Sequence, residues 1–101
     1  MIVTLSQESE MFAVVVRESG DAEQINARAD LVRDRVAPQV RQAPGFVSAL
    51  WMTDAEGRTL NVLTFDSEDA ARAALEPARS TPRPPFLRLD DVQLYRVLAS
   101  A

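Results

Sequence analysis

The residue types that usually carry acid–base, covalent or metal chemistry are scarce in this chain of 101 residues. It contains no Cys and no His, and all 11 of its basic residues are Arg. A thiolate nucleophile, an imidazole base or metal ligand, and a lysine Schiff base are therefore excluded. Any chemistry falls to carboxylates, Arg, Tyr, Trp, hydroxyl groups, side-chain amides or the backbone.

The first candidate side chains lie in the segment ALWMTDAEGRTLNVLTF, residues 49–65. This pattern predicts a β-hairpin whose turn, Asp54 to Gly57, is a type I turn with a bulged glycine. The predicted register pairs Trp51 with Asn61, Ala49 with Leu63 and Val47 with Phe65.

Asn61 and Trp51 are thus predicted to be cross-strand neighbours. Asn is depleted in the middle of strands, and a buried amide needs hydrogen-bonding partners. Asn61 is a candidate for a hydrogen bond to a substrate, and the alternative is a water-bonded residue without a role. The Trp51 ring could form the floor of an aromatic site, or it could simply pack in the core or at an interface.

The surrounding pattern predicts the elements that position these residues. Residues 11–17 form a strand, and a helical stripe follows (Ile25, Ala29, Val32, Val36, Val40 and Ala43), with a kink or break at Pro38 and an end at Pro44-Gly45. After the hairpin, a helix is capped by Asp66 or Ser67 and presents a narrow alanine face, and residues 91–98 form the last strand. The order β-α-β-β-α-β predicts an α+β, ferredoxin-like fold with a four-stranded antiparallel sheet and both helices on one face.

The hairpin is apolar on both faces, which leaves one face of the sheet without a cover from the two helices. Its second face carries Phe46, Ser48, Leu50, Met52, Leu60, Val62 and Thr64 in the predicted register. A second copy of the sheet is the simplest cover, so the sequence predicts a homodimer through the sheet faces. The alternative is a monomer with scattered exposed apolar residues.

Length, charge and the chain start set the remaining expectations. We expect a single domain over residues 11–101 preceded by an extension, residues 1–10, in which Ile2–Leu5 could add an edge strand unless the natural start is Met11. The net charge of −4 with scattered Arg disfavours nucleic acid as a partner. No apolar run is long enough for a membrane helix and no signal peptide is recognisable, so we expect no membrane partner and a cytoplasmic location.

Two joints of the chain carry a resemblance to a known family. The segment PGFVSALWMTDAEGRTLNVLTFDSEDAARAAL contains a helix-ending Pro44-Gly45-Phe46 and a strand that ends in Phe65-Asp66-Ser67 before an acidic helix start. With the strand MFAVVVRE, it resembles the dimeric α/β-barrel superfamily, and within it the antibiotic-biosynthesis-monooxygenase group. The resemblance covers residues 11–98 and implies more about fold than about activity.

The resemblance also implies which activities to consider. Haem-degrading members have an Asn on the first strand, a Trp at the end of the third and a His iron ligand, whereas this chain has Val14–Val16, Phe65 and no His; we therefore reject haem degradation. Other members oxygenate polycyclic phenols without metal or flavin, in a pocket between sheet and helices. By analogy from Phe65, Asn61 faces that pocket.

The lead hypothesis is a cofactor-independent monooxygenase acting on a small aromatic or polyketide-type compound. Asn61 and Trp51 are its catalytic candidates and no cofactor is expected. The substrate-pocket candidates are Phe65, Leu63, Arg96 and Tyr95. Arg96 could neutralise an anionic substrate or, as we favour, pair with an Asp across the dimer, and Tyr95 could donate a proton or pack at the interface.

Two other functions remain open. One is a non-catalytic homodimeric ligand-binding or structural protein; a cavity of about 300 Å³ or more lined by Trp51 and Asn61 favours a ligand site over it. The other is an isomerase or cyclase, ranked lowest because no acidic residue is predicted in mid-strand. Asp66–Asp69 is explained by helix capping, so no metal site is expected. Residues 81–88 could form an arm that places Phe86 and Leu87 on a partner subunit, or a disordered loop.

Overall fold

The computed structural model describes residues 10–101, so the predicted extra strand at Ile2–Leu5 lies outside the described residues. Four strands form one antiparallel sheet in the order β2-β3-β1-β4. Their bounds are β1 Phe12–Gly20, β2 Phe46–Thr53, β3 Arg58–Phe65 and β4 Leu87–Arg96. The predicted ferredoxin-like topology is confirmed. β1 extends three residues beyond its predicted end, and β4 begins four residues before its predicted start and ends two before its predicted end.

The connection from β1 to β2 is helical but irregular over residues 22–40. It consists of α1 Ala22–Asn26, α2 Ala29–Leu31, a π-helical turn Val32–Val36 and α3 Ala37–Val40. The N–H of Ala37 donates to the carbonyl of Val32, five residues back, immediately before Pro38. Because Pro38 has no N–H to donate to the preceding turn, the widened turn stands where the sequence predicted a kink. The helical region ends at Val40, four residues before the predicted stop.

Helix α4, Glu68–Ser80, provides the close packing against the sheet. Ser67 is its N-cap, and the Ser67 hydroxyl accepts a hydrogen bond of 3.1 Å from the N–H of Ala70. Ala71 is fully buried beneath the helix, in a core cluster with Val14, Val16 and Phe65. The alanine face lets the backbone of α4 approach the sheet, as predicted, so the well-packed core lies under α4.

The hairpin register contains one correction. Trp51 pairs with Asn61 and Ala49 with Leu63 as predicted, but Phe65 pairs with Phe46 and not with Val47. A bulge at Val47 adds one residue to β2, which turns Phe46 toward the core and Val47 toward solvent. Phe46 then makes an edge-to-face contact with the Phe65 ring, with 6.3 Å between ring centroids.

Residues 10–101 leave the sheet face opposite the helices largely open. Its exposed apolar side chains are Leu50, Met52, Leu60 and Tyr95. Leu50 is 62% exposed although it lies in the middle of a strand. Within the described residues, none of the helices has the length and apolarity needed to cross a membrane.

Candidate ligand cavity

A cavity of about 400 Å³ lies between the helical region 22–40 and one end of the sheet. Ile25, Ala29 and Val32 line it from the helical side, and Ala49, Trp51 and Leu87 line it from the strands. The first half of the predicted helical stripe therefore faces an open space, whereas Ala43 at its end packs against the core. The cavity exceeds the size that distinguishes a ligand site from a filled interior.

Asn61 and Trp51, the two catalytic candidates, both line this cavity. They are paired across β3 and β2, which places their side chains on the same face of the sheet. The indole offers a flat apolar surface, and the carboxamide offers a donor and an acceptor beside it. The arrangement can hold a planar ligand with one polar substituent.

Glu18 is a cavity residue that the sequence reasoning missed. It lies in β1 opposite Thr59 of β3, and its Oε1 accepts hydrogen bonds from the Thr59 hydroxyl at 3.2 Å and from Asn61 Nδ2 at 3.1 Å. The expectation that no acidic residue falls in mid-strand is therefore wrong. β1 continues through Gly20, and Glu18 follows the alternation of Val14 and Val16 on the helix-facing side.

The Glu18 carboxylate is neutralised by an arginine that follows α4. Arg83 Nε lies 2.6 Å from Glu18 Oε2, and the two side chains are 15% and 11% exposed, respectively. The same guanidinium donates to the carbonyls of Ala78 at 2.8 Å and Thr81 at 3.0 Å. Arg83 thus joins the end of α4 and the proline-rich segment, residues 81–88, to β1. It also holds the Glu18 carboxylate toward Asn61.

The proline-rich segment packs on its own chain. Leu87 lines the cavity, and the Phe86 ring lies 5.9 Å from the guanidinium carbon of Arg28. Residues 86 and 87 thus contact their own chain, which contradicts the alternative of a disordered loop, whereas the arm on a partner subunit stays a prediction.

The four predicted substrate-pocket residues lie away from this cavity. Phe65 is buried in the core, with Leu63 packed beside it. Tyr95 is exposed on the open sheet face, and Arg96 is exposed at the end of β4, opposite Phe12. Asn61 and Trp51 are thus the members of the predicted site that the structure brings together at the cavity.

Arg33 also lines the cavity, and it is bound by aspartates of its own helical region. Its Nε donates to Asp34 Oδ1 at 2.9 Å, and its terminal nitrogen lies 3.2 Å from Asp30 Oδ1. The hydrogen bond with Asp34 raises the pKa of the Arg33 guanidinium and lowers the pKa of the Asp34 carboxyl. Among residues 10–101, no cluster of three or more Asp and Glu side chains offers a metal site.

Comparison with known proteins identifies solved structures with a similar fold. No family model and no curated protein sequence matches the chain. Among solved structures, SnoaB from Streptomyces nogalater, a cofactor-independent oxygenase, is 18% identical, with a TM-score of 0.66 over 90% of this chain and 96% of that one.

Two further structures are similar over nearly their whole lengths. A monooxygenase from the gene ActVA-Orf6 of Streptomyces coelicolor, in complex with nanaomycin D, is 20% identical, with a TM-score of 0.61 over 92% of each chain. The haem degrader MhuD from Mycobacterium tuberculosis is 16% identical, with a TM-score of 0.63 over 89% of this chain and 98% of that one. The resemblance predicted from the sequence is therefore confirmed at the level of the fold.

Proposed function

We propose that the protein is a cofactor-independent monooxygenase that acts on a small aromatic or polyketide-type phenol. The observation that carries this proposal is the cavity of about 400 Å³ in which Trp51 and Asn61 stand side by side. The indole would stack on the substrate ring, and the carboxamide would bind its phenolic oxygen. The oxygenases with a similar fold support the proposal as an analogy.

The Asn61 side chain has the hydrogen-bonding capacity that this role needs. One N–H of Asn61 Nδ2 donates to Glu18, which leaves the second N–H and the carboxamide oxygen for a ligand. Because Arg83 and Thr59 fix the Glu18 carboxylate, the amide is held in one orientation before substrate arrives. An aligned donor of this kind stabilises a phenolate or a peroxide oxygen as negative charge develops on it.

The reaction balances without a protein-bound redox group. The electron-rich phenolate donates electrons to dioxygen. One oxygen atom converts a ring methylene group into a carbonyl group, and the second oxygen atom leaves as water. In this scheme proton transfers fall to water and substrate. Glu18 acts as a positioning group, because hydrogen bonds from Arg83, Thr59 and Asn61 already occupy both of its oxygens.

Oxygen uptake with anthrone-type phenols tests the proposal. We expect the purified protein to accelerate uptake over buffer, and Asn61→Ala to lower the rate by roughly a hundredfold. Gln39→Ala, which removes an exposed amide from α3, is the matched control and should retain the full rate. No acceleration by the natural protein, or full activity of Asn61→Ala, contradicts the proposal.

An isomerase or cyclase is a second candidate because Glu18 places a carboxylate at the cavity. Such an enzyme would exchange a substrate hydrogen with solvent in the absence of oxygen. Deuterium incorporation from heavy water under nitrogen, abolished in Glu18→Gln, would favour it over the oxygenase. A ligand that binds with neither oxygen uptake nor exchange would favour the non-catalytic binding protein.

The homodimer belongs to the same proposal. The open sheet face presents Leu50, Met52, Leu60 and Tyr95, and burying several such side chains stabilises by about 25 cal/mol per Å². Two sheets packed through these faces would form the dimeric barrel that the resemblance implies. The cytoplasmic location predicted from the sequence also remains part of the proposal.

A further inference from the structure

Arg28 is a half-buried cation at the cavity. Its guanidinium lies over the Phe86 ring, at 5.9 Å from the centroid, which fixes it at the junction of α1 and the proline-rich segment. The carboxylates of residues 10–101 form ion pairs with six other arginines, and Arg28 is not among these pairs. A half-buried guanidinium without such a partner retains donors for an anion.

The other charged side chains at the cavity already have partners of opposite charge. Glu18 is neutralised by Arg83, and Arg33 is bound by Asp30 and Asp34. Among residues 10–101, the charged side chains that line the cavity are Glu18, Arg28 and Arg33. Arg28 is the one of these three that forms no ion pair with another described residue. The rest of the lining is mainly apolar, which strengthens the attraction of the Arg28 charge for an anion.

We infer that Arg28 binds an anionic substituent of the substrate, so that the cavity selects aromatic carboxylates over their neutral analogues. This inference rests on the proposed function, because it names the chemical class of the ligand that Trp51 and Asn61 hold. The guanidinium fork matches a carboxylate with two parallel hydrogen bonds. The ring would lie along Trp51, with its phenolic oxygen at Asn61 and its carboxylate at Arg28.

Paired ligands test the inference. Hydroxynaphthoate and its methyl ester share one ring system and differ in one charge, and calorimetry gives the affinity of each. Trp51 is the only tryptophan of the chain, so quenching of its fluorescence locates binding at the cavity. We expect the natural protein to bind the carboxylate at least tenfold more tightly than the ester, with a preference that falls as salt is added.

Three variants identify the residue responsible. Arg28→Gln should abolish the preference while the ester binds as before, which shows that the cavity is intact. Arg28→Lys should keep part of the preference for the carboxylate over the ester, because lysine retains the positive charge but lacks the two parallel N–H donors of the guanidinium. Arg35→Gln, an exposed arginine of the same helical region, is the matched control and should change neither affinity.

The outcomes separate this inference from the proposed function. Equal binding of the two ligands by the natural protein, or a preference that survives in Arg28→Gln, overturns the role of Arg28 and leaves the cavity as a ligand site. If neither ligand binds or quenches Trp51, the ligand site itself fails and the inference fails with it.

Discussion

Among single residues, a small polar network inside an apolar setting holds the Asn61 amide in place. Glu18, Arg83, Thr59 and Asn61 come from three distant parts of the chain and meet at one carboxylate. A half-buried carboxylate of this kind is stable only with its partners, because the loss of one leaves an uncompensated charge. The network therefore ties the orientation of Asn61 to the integrity of the fold.

The ion pair between Glu18 and Arg83 should be strongly coupled. We expect Glu18→Gln and Arg83→Gln each to lower the free energy of unfolding by about 3 kcal/mol. The double variant should lose clearly less than the sum, because it leaves neither charge unpaired. Urea denaturation of the four proteins measures this coupling.

An exposed ion pair provides the control for that cycle. Arg72 and Glu68 pair at 2.7 Å within α4 and remain well exposed, so Arg72→Gln should cost less than about 0.5 kcal/mol. If the losses at Glu18 and Arg83 are as small as this or strictly additive, the network has no structural role.

At the scale of elements, the sequence predicts the kind of each helix and strand better than its first and last residues. The alanine face of α4, the Ser67 cap and the hairpin with a glycine at its fourth turn position followed from local rules. The widened turn before Pro38 likewise stands where a local rule predicts a kink, whereas no local rule predicts the bulge at Val47. β1 continues beyond its predicted end at Arg17, and the partner of Glu18, Arg83, lies 65 residues away in the sequence, where local rules do not reach.

The hairpin turn makes a glycine indispensable. Gly57 has a φ of 83°, and a Cβ at this position would lie 2.0 Å from the carbonyl oxygen of Gly20. We expect Gly57→Ala to lower the free energy of unfolding by more than about 1 kcal/mol, through backbone strain and this clash. Thermal denaturation checks it, with Ala55→Gly in the same turn as the control that should change stability far less. An unchanged melting temperature of Gly57→Ala would contradict the turn geometry.

The same turn should also give a pH dependence. Asp54 Oδ1 accepts hydrogen bonds from the N–H groups of Arg58 and Glu56, each at 2.9 Å, and these bonds lower the pKa of the carboxyl below 3.8. Because the pKa is lower in the folded state than in the unfolded state, the stabilisation is present above the unfolded value and is lost as pH falls through the folded one. The stability difference between the natural protein and Asp54→Asn should therefore shrink below about pH 4. A difference that stays constant from pH 6 to pH 2 would show that Asp54 does not hold the turn.

At the scale of the whole molecule, the open sheet face predicts the assembly. The site followed from the sequence only in part: Trp51 and Asn61 follow from the hairpin register, whereas Glu18, Arg28 and Arg83 needed the folded chain. The apolar excess of the hairpin, in contrast, is visible in the sequence and persists in the structure as an uncovered face.

A charge placed on that face should prevent the proposed dimer from forming. Leu50→Glu would bury an unpaired carboxylate between the two sheets, so we expect a monomer in sedimentation at micromolar concentration. Leu98→Glu is the control, because Leu98 is 79% exposed and lies beyond the end of β4. A natural protein that sediments as a monomer, or a Leu50→Glu variant that stays dimeric, contradicts an interface through the sheet faces.

The central claim is that the cavity oxygenates an aromatic ligand with dioxygen and no cofactor. Turnover of an anthrone-type phenol under isotopically labelled dioxygen tests it most directly, with mass spectrometry of the product. The account predicts one labelled oxygen atom in the new carbonyl group, formed faster with the protein than in buffer. A product whose new carbonyl oxygen is unlabelled and therefore comes from water, or a product formed no faster than in buffer, would contradict it.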